Sequence, residues 1–141
     1  MKKSEIAKEK FNCYNCCQSV LIPFSEEFGL SEKTALKLAS GFGGGMGRGE
    51  TCGAITGAYM VLGLKNDSSL SLPEVKANMK AMVKKFNAKF IEKHGSLLCK
   101  DLIGYNLSIP EEAEKASNAK VFDTICPHLV SYSVELIETE L

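Results

Sequence analysis

At 141 residues, with 17 Lys plus Arg balanced by 17 Asp plus Glu, the chain has the size of one domain and no net field to gather nucleic acid or an anionic membrane. No apolar run approaches the roughly 18 residues of a membrane span, and the charged start MKKSEIAKEK lacks the apolar core of a signal peptide, so a cytoplasmic protein without membrane insertion is expected. Six cysteines in a reducing compartment then point to metal binding or thiol redox chemistry more than to a disulfide framework.

Helical spacing of Ile6, Cys13, Cys17, Val20 and Phe24 predicts a first helix from about Ser4 to Ile22, ended or kinked by Pro23. Cys13, Cys16 and Cys17 then stand at i, i+3 and i+4 on one helix face, where two thiols can serve one metal ion or each other. Their C-x-x-C is a weak thioredoxin-like signal, because no strand precedes it. Gly29 reads as a turn, Ser31 as an N-cap, and EKTALKLAS as a short second helix.

The stretch from Ser40 to Gly63, SGFGGGMGRGETCGAITGAYMVLG, organises the rest of the chain. Six of the nine residues from Gly41 to Gly49 are glycine, and the run opens into a small-residue helix, Thr51 to Leu62, with Cys52 in its first turn. A glycine-rich loop of this kind can curl its N–H groups into an anion-binding nest. That makes Gly43, Gly44, Gly45, Gly47 and Arg48 candidates for binding a cofactor or small anion. The nest and the helix dipole together would favour a thiolate at Cys52, the form that acts as nucleophile or metal ligand. An alternative is a tight helix crossing at Gly53, Ala54, Gly57 and Ala58. Nucleotide binding is disfavoured: no G-x-G-x-x-G register fits, no Lys-Ser/Thr closes the run, and a helix precedes it.

Beyond the polar turn Asn66 to Ser71, the capping box Ser71-Leu-Pro-Glu74 starts the longest helix. Val75, Met79, Met82, Phe86 and Phe90 form its core stripe, Lys76, Lys80 and Lys84 a solvated face, and His94 complements the helix end before Gly95. Ser96 is read as the cap of a short helix holding Cys99 at its third position and ending at Gly104. Pro110 starts another segment through about Lys115, and the last helix begins with Cys126 as cap and Pro127 first. Its core positions are Val130, Val134 and Ile137, and His128 is an exposed first-turn residue, or else a ligand or proton partner near Cys126.

The predicted fold is therefore all-α: one domain over 1–141, a helical bundle of about five to seven helices with a glycine-rich loop before a central buried helix. Cys52, Cys99 and Cys126 each fall at the start of a separate helix, where free N–H groups stabilise negative charge. Convergence of those three helix ends, with Cys16 completing the set, is expected.

At these residues the chain resembles the C-GCAxxG-C-C family, whose members are grouped as redox-active by their cysteine pattern. The likeness is carried by Asn15-Cys16 with Gln18 and Val20, by Ser40 to Leu64 with its Cys52-Gly53-Ala54 and Gly57, by Cys99 with Leu102-Ile103-Gly104, and by Cys126-Pro127 with Val130. The family's four recurring cysteines map onto Cys16, Cys52, Cys99 and Cys126; Cys13 and Cys17 are additions of this chain. The resemblance implies a redox role, as an oxidoreductase or electron-transfer component with a redox partner protein. Three functions follow. One is an iron–sulfur cluster or other metal on Cys16, Cys52, Cys99 and Cys126. Another is metal-free thiol–disulfide chemistry between Cys52 and Cys13, Cys16 or Cys17. The third is a non-catalytic module binding a small anion at Gly43 to Arg48.

Overall fold

Nine α-helices carry the structure, a computed structural model that describes residues 1–141: α1 (Lys3–Lys10), α2 (Cys16–Ser25), α3 (Glu32–Ala39), α4 (Gly53–Lys65), α5 (Leu72–His94), α6 (Cys99–Ile103), α7 (Pro110–Asn118), α8 (Val121–Thr124) and α9 (Cys126–Glu140). The all-α expectation holds, with nine helices in place of five to seven. The surplus has two sources: the expected first helix is two, and α8 lies between α7 and α9. No helix is long and apolar enough to cross a membrane.

Asn15 divides the first helix. Its side chain accepts from the Gln18 N–H at 2.8 Å, while the Gln18 side chain accepts from the Asn15 N–H at 3.0 Å. This reciprocal cap starts α2 at Cys16 in the middle of an otherwise continuous apolar period. Pro23 does not stop it. The proline lies inside α2, which runs on to Ser25 before a 3-10 turn at Glu26–Phe28, so only the one bond to residue 19 is forfeited near the helix end.

Two apolar clusters result. The larger joins α1 to α5 and α9, with Val20, Leu21 and Phe24 of α2, Ile55, Val61 and Leu62 of α4, Phe86 and Phe90 of α5, and Val130, Val134 and Ile137 of α9. Within it α2 packs most extensively on α4, and α1 on α9. The smaller has only Cys99, Ile103, Ala116 and Val121 at its centre, covered by Leu107, Phe122 and Cys126. On α5 the lysines Lys76, Lys80 and Lys84 are exposed, as expected, and Met79 and Met82 pack against the larger cluster. His94 packs on Phe90 and Tyr132.

The glycine run differs from the open loop expected of it. Gly45–Gly49 coils into a single wide helical turn, closed by the Glu50 N–H donating to the Gly45 carbonyl at 3.1 Å. Gly45 has φ +65°, and a Cβ there would stand 2.5 Å from the Glu50 nitrogen and 2.9 Å from the Cys99 Cβ. Both the left-handed angle and the lack of space require glycine. The turn is thereby folded down onto the start of α6.

Candidate functional site

The site begins where α2 lies across α4. A Cβ on Gly57 would stand 2.7 Å from the Cys17 carbonyl oxygen and 3.1 Å from the Val20 Cβ, and one on Gly53 would overlap the Cys16 sulfur. Two glycines one helical turn apart thus open a slot into which the α2 backbone settles, the close crossing that the small residues of this segment suggested. The same approach sets Cys16, first residue of α2, against Cys52, which precedes the first residue of α4. Packing and cysteine placement are one event.

A second device brings in Cys99. Thr51 and Leu98 form a single antiparallel bridge, with the Cys52 N–H donating to the Leu97 carbonyl at 2.8 Å and the Cys99 N–H donating to the Glu50 carbonyl at 2.6 Å. The segments entering α4 and α6 are therefore tied at the level of their cysteines. Cys99 is the first residue of α6, not its third. Ser96 does not cap that helix; its hydroxyl accepts from the Leu98 N–H at 3.0 Å and donates to Asp101 at 2.9 Å. Cys126 opens α9, with Pro127 next.

Cys16, Cys52, Cys99 and Cys126 line one cavity of about 420 Å³, together with Gly44, Leu107, Phe122 and Leu129. It lies along the seam between the two apolar clusters, Cys52 and Leu129 belonging to the larger and Cys99 to the smaller. The other candidates lie elsewhere. Cys13 is exposed in the turn before Asn15, so it shares no helix face with Cys16 and Cys17. Cys17 is fully buried, its sulfur 3.9 Å from the Met60 sulfur. Of the predicted cradle only Gly44 borders the cavity; Gly43 abuts Asn15, Gly45 abuts Glu50, and Gly47 and Arg48 are exposed. His94 and His128 do not line the cavity either.

The acid–base character of the pair is the reverse of what the helix-end reading anticipated. The Cys52 thiol hydrogen-bonds to Cys16 and, with the N–H groups of Gly44, Cys17 and Cys16 itself, lowers the Cys16 pKa to about 7 against the opposing effect of burial. Cys52 is pushed well above the usual thiol value, first by that same hydrogen bond to Cys16, then by burial and the neighbouring charge. The Ala54 N–H opposes that rise. Burial dominates at the remaining sulfurs. It raises Cys99 to about 11 and Cys126 to about 12, with the charge at Cys16 adding to both, and it raises Cys17 to about 12 against a hydrogen bond from Thr56. Of the two, Cys16 is the sulfur whose ionisation is favoured, with the Cys52 thiol beside it.

A metal ion would need several donors aimed at one point. No group of three or more His, Cys, Asp or Glu side chains is so arranged, so the residues as they stand do not fit a single metal ion. Four sulfurs share a wall and not a common point.

Asn15 and Gln18 are the supports that cysteine spacing did not reveal. Besides capping α2, Asn15 donates from Nδ2 to the carbonyls of Ala39 and Ser40 at 3.2 Å each, and Gln18 donates from Nε2 to the Leu36 carbonyl at 2.8 Å. They fasten the start of α2 to the end of α3, just ahead of the glycine turn. The N-x-x-Q spacing next to Cys16 was the available signal. Leu107 and Phe122 had none, because no local period relates them to the cysteines.

A family model described as "Putative redox-active protein (C_GCAxxG_C_C)" matches residues 14–140. No curated protein and no solved structure matches the chain.

Proposed function

This chain belongs to the C-GCAxxG-C-C family, and from that premise we propose that it performs thiol–disulfide redox chemistry with Cys16 as the nucleophile and Cys52 as its resolving partner. The observation that carries the reading is the placing of Cys16, first residue of α2, against Cys52 at the head of α4 where the two helices cross, both sulfurs opening on one cavity. The Cys16 sulfur attacks a substrate disulfide, forming a mixed disulfide and expelling one substrate thiolate. Cys52 then gives up its proton to that leaving thiolate and attacks the Cys16 sulfur, displacing the second substrate thiolate. The substrate disulfide gains two electrons and leaves as one thiol and one thiolate, the latter taking a proton from water; the protein loses two electrons and holds a Cys16–Cys52 disulfide. A redox partner protein carrying a dithiol would return it to the reduced form. The glycine turn also acquires a role here, since the anion its Gly44 N–H serves is the thiolate itself.

A cluster or metal on Cys16, Cys52, Cys99 and Cys126 is the second reading, favoured by their shared cavity and opposed by the lack of a point where three donors meet. Such a group would supply one-electron transfer when bound. Peptide mapping by mass spectrometry, after stoichiometric oxidation of anaerobically purified protein, separates the two. A Cys16–Cys52 link reversed by a dithiol is expected, with no change on chelation. Stoichiometric iron or zinc retained by the four cysteines, with no such link, would overturn the thiol reading.

A further inference from the structure

The wall of the cysteine cavity says what kind of disulfide can enter it. Phe11, Leu107 and Phe122 supply apolar surface, and apart from the cysteines the polar side chains are Asn12, Tyr14, Asn15 and Asp123. No Lys, Arg or His lines the cavity, so its one carboxylate, Asp123, has the thiolate of Cys16 as its companion charge. A volume of about 420 Å³ is that of a small-molecule site.

Building on the thiol–disulfide reading, we propose that the cavity selects a low-molecular-weight, apolar disulfide without negative charge as the oxidant of the Cys16–Cys52 pair. An anionic disulfide would surrender its hydration to an apolar wall with no cation to receive it, and would meet two negative groups of the protein. An uncharged aromatic or aliphatic disulfide loses little hydration and gains the apolar contact. The exchange is the one already balanced: two electrons pass from the two cysteines to the substrate sulfurs, and the Cys52 proton leaves with the first substrate thiol.

The test compares two aromatic probes on the reduced full-length chain in single turnover, uncharged dithiodipyridine and dianionic dithiobis(nitrobenzoate). Each rate is normalised to that of the same probe with a free cysteine derivative, and closure of the Cys16–Cys52 link is read by site-resolved mass spectrometry. The uncharged probe is expected to close the link at least about tenfold faster after normalisation, the size of effect that one uncompensated charge in a partly apolar site produces. Asp123→Lys, a change at an exposed position of the rim, should narrow that gap by speeding the dianion. Equal normalised rates, or a faster dianion, would overturn the selectivity while leaving the Cys16–Cys52 chemistry standing. Failure of both probes to close the link, while both label exposed Cys13, would remove that chemistry and the selectivity with it.

Discussion

Cys16 and Cys52 occupy the same kind of place, the start of a helix, and yet their pKa values move in opposite directions. What separates them is first the hydrogen bond between the two sulfurs, which lowers Cys16 and raises Cys52. The Gly44 and Cys17 N–H groups add to the lowering at Cys16, whereas burial adds to the rise at Cys52. A thiolate is the reactive form, so a lowered pKa brings reactivity to lower pH. Alkylation of Cys16 should therefore rise through pH about 7 and level off, where an ordinary thiol climbs toward 9.0. In Cys52→Ala the largest stabilising partner is gone, and the midpoint for Cys16 should move to higher pH; an unmoved midpoint would refute the pairing. Cys17 and Cys126, with pKa values raised to about 12, should stay unlabelled at neutral pH in the native protein, as pulse alkylation with peptide mapping can check.

At the scale of helices, the crossing of α2 on α4 depends on the absence of two side chains. Gly57→Ala forces a methyl group to within 2.7 Å of the Cys17 carbonyl, which lies in a backbone that cannot turn aside. A loss of about 1–3 kcal/mol is expected from overpacking of this kind, read as a lower melting temperature. Gly53→Ala displaces the Cys16 sulfur directly and should cost both stability and the low-pH alkylation of Cys16. Gly63, in the last turns of the same helix, is the control. It is exposed and a Cβ there would meet only the Met79 Cε at 4.0 Å, so Gly63→Ala should stabilise by about 0.5–1 kcal/mol by restricting the unfolded chain. Denaturant melts of the three variants distinguish a packing requirement from a general preference for alanine in helices.

Over the whole molecule the two apolar clusters differ greatly in size, four buried residues against 20, and the cavity runs between them. Burial of apolar surface is the main favourable term in folding, so the part built on α6, α7 and α8 has less to hold it. Its ties to the larger part include the Thr51–Leu98 bridge, the packing of α8 on α9, and Leu102 and Ile125 set against the larger cluster. Native-state hydrogen exchange should show the amides of α6 to α8 opening before those of α2, α4 and α9. Closing the Cys16–Cys52 disulfide should leave that order intact, because both cysteines sit on helices of the larger cluster. Simultaneous exchange of all nine helices would show that the seam is no mechanical boundary.

Local chemistry was legible from the residues alone. Caps, prolines and glycines act within a few positions of themselves, and they placed Cys52, Cys99 and Cys126 at helix starts to within two residues. Apolar spacing gave Met79, Met82, Phe86 and Phe90 of the α5 stripe for the same reason, though not Val75, and misled at Asn15, where a side-chain cap outweighs a continuing period. It also set Cys13 and Cys17 beside Cys16, whereas the turn exposes the first and the core takes the second. The cysteine that ionises could be learned only from the folded chain, because a pKa depends on donors, burial and charge contributed by distant segments. The cavity shared by four sulfurs is of that kind too: a volume exists only between surfaces, and these surfaces meet once the helices have packed.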